Sequence, residues 1–142
     1  MTTARRIRVF FYGSFINHDV LAEAGFRPDR LVVGRLPGFD IRIAPLATLV
    51  PSDEHAVYGV LCEATHEELG RLYAQSWVGD YRPEAVLVET GDGSWQTALC
   101  YIAASAAGQR APRDYVDRIV EPGRALGFPE WYLARVAGQA AS

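Results

Sequence analysis

The sequence predicts an α+β fold, strands first and helices late. Three features carry that expectation: strand-like runs separated by glycine, proline or aspartate turns, a helix-capping signature between the fourth and fifth runs, and a tail with helical spacing. The runs occupy residues 7–12, 31–36, 39–44, 57–63, 82–89 and 95–103, rich in Val, Ile, Tyr and Phe, with turns such as LPGFD and TGDGS between them. Such a series forms a sheet or a small barrel. In THEELGRLYAQ, residues 65–75, Thr65 and Glu68 make a capping box while Leu69 and Leu72 recur at helical spacing, so one short helix is expected there. From Pro112 onward Tyr115, Ile119 and Leu126 share a helical stripe; Pro122 should kink or divide that helix, and Pro129 fits the first turn of a last short one. No repeat, linker or low-complexity tract interrupts the chain, so residues 1–142 read as one domain with its core at about 6–137.

The 142 residues, 49% hydrophobic and 22% charged, have the balance of a soluble globular protein. No apolar stretch is long enough to cross a bilayer and the start MTTARRIRVFF has no secretory pattern, so no membrane partner and a cytoplasmic location are expected. The net charge is −3 and the 14 basic residues are all arginine, dispersed along the chain, which argues against nucleic acid. Without lysine there is no Schiff-base or phosphate-loop lysine chemistry. Cys62 and Cys100 each sit in an apolar run with no partner at zinc-ligand spacing, and His18, His55 and His66 are scattered, so buried free thiols, no metal and no cofactor are expected.

The run IRVFFYGSF, residues 7–15, ends in a small polar turn and then resumes with Phe15. A glycine there lets the backbone approach a ligand closely, and adjacent N–H groups can face an anion or a developing oxyanion. Three stretches in order, FFYGSF, VYGVLCEATHEELGRLY (residues 57–73) and PRDYVDRIVEPGRALGFPEWYLARV (residues 112–136), resemble the gamma-glutamylcyclotransferase-like family, which includes the AIG2-like proteins. The resemblance implies a small mixed β-barrel with flanking helices and a pocket at its mouth. It implies that the loop grips a γ-glutamyl-type substrate through Tyr12, Gly13 and Ser14, with Phe15 and Ile16 beside them, and that Tyr101 in CYIAA contributes to the pocket. Phe15 stands where the family often has asparagine, so an amide donor is replaced by an apolar ring.

Family members that cyclise γ-glutamyl compounds to 5-oxoproline use a glutamate shortly after the Leu-x-x-Leu helix. The substrate's α-ammonium must lose a proton before it attacks the γ-carbonyl, and a carboxylate with a raised pKa can accept that proton. Ring closure is intramolecular, so positioning supplies much of the acceleration. In RLYAQSWVGDYRPEAV, Tyr73 replaces an aspartate and Ser76 occupies the position of the catalytic glutamate; serine is no base near neutral pH. Three readings follow. The base has moved to Glu84, whose plainer reading is a solvent-facing carboxylate near Arg82. Alternatively the scaffold runs hydrolysis, elimination or isomerisation with donors such as Ser76, Tyr73 and Tyr101, or it binds a ligand without catalysis. Asp80 reads as a turn residue, Glu89 as surface, and Gln75 as an orienting group; Trp77 reads as packing. Ser14 is expected to act as a donor, not a nucleophile. The expected partner is a small-molecule substrate, and a homodimer is compatible with the sequence.

Overall fold

The computed structural model describes residues 5–74, 81–103 and 108–141. In β1 (Arg6–Phe11) the second half, Val9, Phe10 and Phe11, is buried on both sides, while Arg6 and Arg8 in the first half are not. A single 3-10 turn (Ser14–Ile16) follows, then α1 (His18–Glu23), an element the sequence reading lacked. The Asn17 side chain caps α1 by accepting the Asp19 N–H at 2.9 Å, while Leu21 is its one buried residue, which leaves no apolar stripe to read.

Two expected strands, 31–36 and 39–44, are one, β2 (Val32–Ile43); the LPGFD turn is a bulge between Pro37 and Phe39, with Gly38 at φ 89°. β3 (Ala47–Thr65) starts ten residues before the expected 57, because it pairs with β2 over Ala47–Pro51 as well as from Ala56 onward; residues 52–55 between the two paired stretches, with Asp53 and Glu54 exposed, have no partner in the register. α2 (His66–Tyr73) begins at the foreseen capping box, the Glu68 N–H donating to Thr65 Oγ1 at 3.1 Å and the Thr65 N–H to Glu68 Oε1 at 2.8 Å. β4 (Tyr81–Thr90) and β5 (Trp95–Ala103) form the second hairpin.

The five strands close into a barrel in the order β1-β3-β2-β4-β5. β1 meets β5 in parallel and the other pairs are antiparallel, so the barrel is mixed. Its seams are unequal. β2 pairs with β3, and β4 with β5, along most of their lengths, whereas β2 touches β4 in register only at Gly34↔Thr90 and Arg35↔Glu89, and β1 touches β5 only at Val9↔Leu99.

α3 (Arg113–Ala125) runs through Pro122 undivided. The proline falls near the helix end, and the next turns are closed by a Schellman arrangement: Gly127 takes φ 88°, its N–H donates to the Arg124 carbonyl, and the Phe128 N–H donates to the Gly123 carbonyl at 2.9 Å. Pro129 sits at the N-cap of α4 (Glu130–Ala137), one position before the expected first turn. Val116, Ile119, Tyr132, Leu133 and Val136 bury the inner faces of the two helices. α4 is also tied to β2: Arg135 forks onto Asp40, and Gln139 accepts the Ile43 N–H and donates to the Ile41 carbonyl, each at 2.8 Å. Cys62 and Cys100 are buried free thiols. Among the described residues, no helix is long and apolar enough to cross a membrane, and no group of His, Cys, Asp and Glu could hold a metal ion.

Candidate functional site

Past β1 the chain turns through Tyr12 and Gly13 into the 3-10 turn. Tyr12, Ser14 and Phe15 are 5%, 8% and 7% exposed, so this glycine turn is walled in, unlike an ordinary surface turn. Leu46 and Ala47 at the start of β3, Tyr73 of α2, Tyr81 of β4, Tyr101 of β5 and Tyr115 of α3 close around it. The cavity between them is about 40 Å³, space for a few water molecules.

Hydrogen bonds fix these groups across the strands. Tyr12 Oη donates to the Tyr101 carbonyl at 2.6 Å, joining β1's end to β5 where their ladder is short. The Ala47 N–H donates to Tyr115 Oη at 3.1 Å, the Ala47 carbonyl accepts from Tyr81 Oη, and Ser14 lies beside Tyr115 in the wall. Thr48, 2% exposed, accepts the Ala103 N–H at 2.9 Å. Gly13 leaves room for Ala47: a Cβ at position 13 would lie 3.1 Å from Ala47 Cβ.

The apolar side is aromatic. Tyr73 stacks on Tyr101 with ring centres 3.8 Å apart and planes 12° from parallel, and Phe15 meets Tyr73 edge-on at 5.4 Å and Phe11 at 5.6 Å. Thus the two positions read as replacements of polar family residues, 15 and 73, fill the same corner. Burial pushes the Tyr12 phenol well above its ordinary value, with further repulsion from Cys100, Tyr81 and Tyr73. Burial does the same for Tyr73, Tyr81, Tyr101 and Tyr115. At neutral pH these phenols are therefore protonated, able to donate as well as accept.

Of the residues expected at the site, Tyr12, Gly13, Ser14, Phe15, Tyr73 and Tyr101 line this one pocket. Ile16, 2% exposed, packs into the core and is not part of the wall. Glu84 is exposed on β4 and also outside the wall; it pairs across the hairpin with Cys100, its charge helps raise that thiol's pKa after burial, and Cys100 in turn neighbours Tyr12 and Tyr73. Ser76, with Gln75, Trp77 and Asp80, lies outside the described residues. Among the described residues the wall carries no carboxylate. Tyr81 and Tyr115 were not singled out in the sequence. Tyr81 opens a strand and Tyr115 belongs to a helical stripe, and only the fold turns both hydroxyls to Ala47.

The family model described as gamma-glutamyl cyclotransferase, AIG2-like, matches residues 9–120, most of the chain. The chain belongs to this family. No curated protein matches it. Among solved structures this cyclotransferase-family chain is similar to a gamma-glutamyl cyclotransferase, at 21% identity and TM-score 0.79 over 93% of this chain and 86% of that one. It is similar to YkqA from Bacillus subtilis at 24% identity and TM-score 0.81, over 97% of this chain and 56% of that one. A gamma-glutamyl cyclotransferase specific to glutathione from yeast matches at 13% identity and TM-score 0.70, over 96% of each chain. At these identities the likeness is one of fold.

Proposed function

We propose that the protein is a gamma-glutamyl cyclotransferase-like enzyme that acts on a small γ-glutamyl amide or related amino-acid derivative and releases 5-oxoproline by intramolecular cyclisation. The observation that carries this reading is the convergence of Tyr12, Gly13, Ser14 and Phe15 with Tyr73 and Tyr101 in one walled pocket of a chain from that family. In it, the Ser14 N–H and hydroxyl, at the start of the 3-10 turn, face the γ-carbonyl and stabilise the oxyanion as the amine attacks. The tyrosine hydroxyls orient the amino-acid end. Glu84 is the proposed proton acceptor, placed on β4 beside Pro83, the cross-strand partner of Tyr101, and separated from the wall by Cys100. A whole γ-glutamyl group exceeds the 40 Å³ cavity, so binding displaces wall groups, and this displacement brings the β4–β5 hairpin and the substrate amine into register.

The uncharged wall favours a second reading, a pocket that binds its ligand without cyclising it, or that runs an amide hydrolysis, elimination or isomerisation needing only polarisation. One experiment separates these: 5-oxoproline release from γ-glutamyl amino acids and γ-glutamyl amines by wild type and Glu84→Gln, with calorimetric binding of the same compounds. Turnover that falls at least about a hundredfold in the variant supports cyclisation with Glu84 as base. Equal turnover in both removes Glu84 from the mechanism. Binding without turnover selects the second reading, and the absence of both removes γ-glutamyl compounds as ligands.

A further inference from the structure

Six residues before Tyr12, at the other end of β1 and roughly 20 Å away along the strand, the barrel carries a groove of about 570 Å³, a size suited to a small ligand. Among the described residues it shares no lining residue with the tyrosine pocket. Arg6 and Arg8 alternate onto one face of β1, about 7 Å apart, and Arg30 approaches from the segment before β2. Arg8 Nη1 donates to the Thr97 carbonyl at 3.4 Å, and none of the three guanidinium groups lies within ion-pair distance of a carboxylate among the described residues. Three acidic groups also line the groove. Asp92 is satisfied inside its own turn, accepting from the Thr90 hydroxyl, the Ser94 hydroxyl at 2.7 Å and the Ser94 N–H at 3.1 Å. Glu63 stands opposite Arg8 in the β1–β3 register, and Asp29 adjoins Arg30. Setting Asp92 aside, three cations face two anions, with Leu61 and Val32 as an apolar floor.

We propose that this groove is a second binding site, for a small anion carrying two anionic groups held a few ångströms apart, gripped at one by the Arg6–Arg8 pair and at the other by Arg30. Guanidinium forks suit both phosphate and carboxylate oxygens, so the shared chemistry is a diphosphate or dicarboxylate. The proposal is independent of what the tyrosine pocket does.

The test is calorimetric titration of the full chain at fixed ionic strength with pyrophosphate and with glutarate, and with inorganic phosphate as the single-group control. One-site binding of pyrophosphate or glutarate, tighter than phosphate, is expected, and the stronger probe identifies the ligand source. Arg30→Gln is the cleanest variant, since Arg30 makes no hydrogen bond to the protein among the described residues. It and Arg6→Gln should each weaken binding about tenfold, and Glu63→Gln should tighten it. Circular dichroism confirms that each variant is folded. No saturable binding of either probe, phosphate binding as tightly, or affinity unchanged in both arginine variants overturns the proposal.

Discussion

Tyr115→Phe removes a single oxygen from α3 and should loosen the fold where β3 begins, beside the tyrosine pocket. The ring stays, so packing is conserved and the cost is polar. The lost oxygen accepts the N–H of Ala47, a residue 3% exposed, which is left buried without an acceptor at a cost of about 1–3 kcal/mol. For a chain of this size that is a fall in Tm of about 3–10 °C. Urea unfolding with an unchanged m-value measures it. A loss below about 0.5 kcal/mol for Tyr115→Phe would refute the view that this hydroxyl satisfies the buried Ala47 N–H.

Gly13→Val should leave most of the fold, since φ −101° suits any residue and the new Cβ meets only Ala47 Cβ at 3.1 Å. Its branches would occupy the small cavity, so affinity for a γ-glutamyl probe should fall more than about tenfold while Tm falls a few degrees; retained affinity would remove the loop from the site. Alkaline stability gives a separate check. Burial raises the Cys62 thiol from 9.0 to about 12, and the phenols of Tyr12, Tyr73, Tyr81, Tyr101, Tyr115 and Tyr132 rise above their ordinary value of 10.0. Above these ordinary values the unfolded chain releases protons that the folded chain retains, so stability is fully present below about pH 9 and is lost as pH rises through the folded values. A urea midpoint that stays constant from about pH 8 to pH 11 would contradict the burial of these groups.

The parts of the fold legible in the sequence were those where one local rule acted alone. Thr65 and Glu68 mark the start of α2 because a capping box is local chemistry. The apolar run ending at Phe11 marks β1. Where two rules competed, the sequence misled. Asp53 and Glu54 disfavour a strand and take no partner in the register, yet β2 pairs with β3 on both sides of them, up to Pro51 and again from Ala56, so the strand spans the interruption. Pro122 breaks helices in their interiors, yet near the end of α3 its missing N–H is tolerated because the chain is about to turn at Gly127. The site divides in the same way. Tyr12, Gly13 and Ser14 are contiguous and carry a family pattern, whereas Tyr81 and Tyr115 reach Ala47 from opposite sides only after the barrel closes, and no spacing in the chain encodes that meeting.

The unequal seams of the barrel bear on how a ligand larger than the cavity is admitted. β1, β3 and β2 form one leaf, carrying Tyr12, Ser14 and Phe15 at its end, and β4 with β5 forms another, carrying Tyr81 and Tyr101. Between the leaves the backbone ladders are short, and much of the remaining linkage at the pocket is made by side chains: Tyr12 to the Tyr101 carbonyl, Thr48 to the Ala103 N–H, and Tyr81 to the Ala47 carbonyl. These fastenings are the same kinds of group that an amide or a carboxylate presents. A guest that supplies its own donors and acceptors can trade places with them one by one, parting the leaves without breaking either hairpin. Entry is then a substitution of partners, and selectivity lies in which guests can match the fastenings they displace.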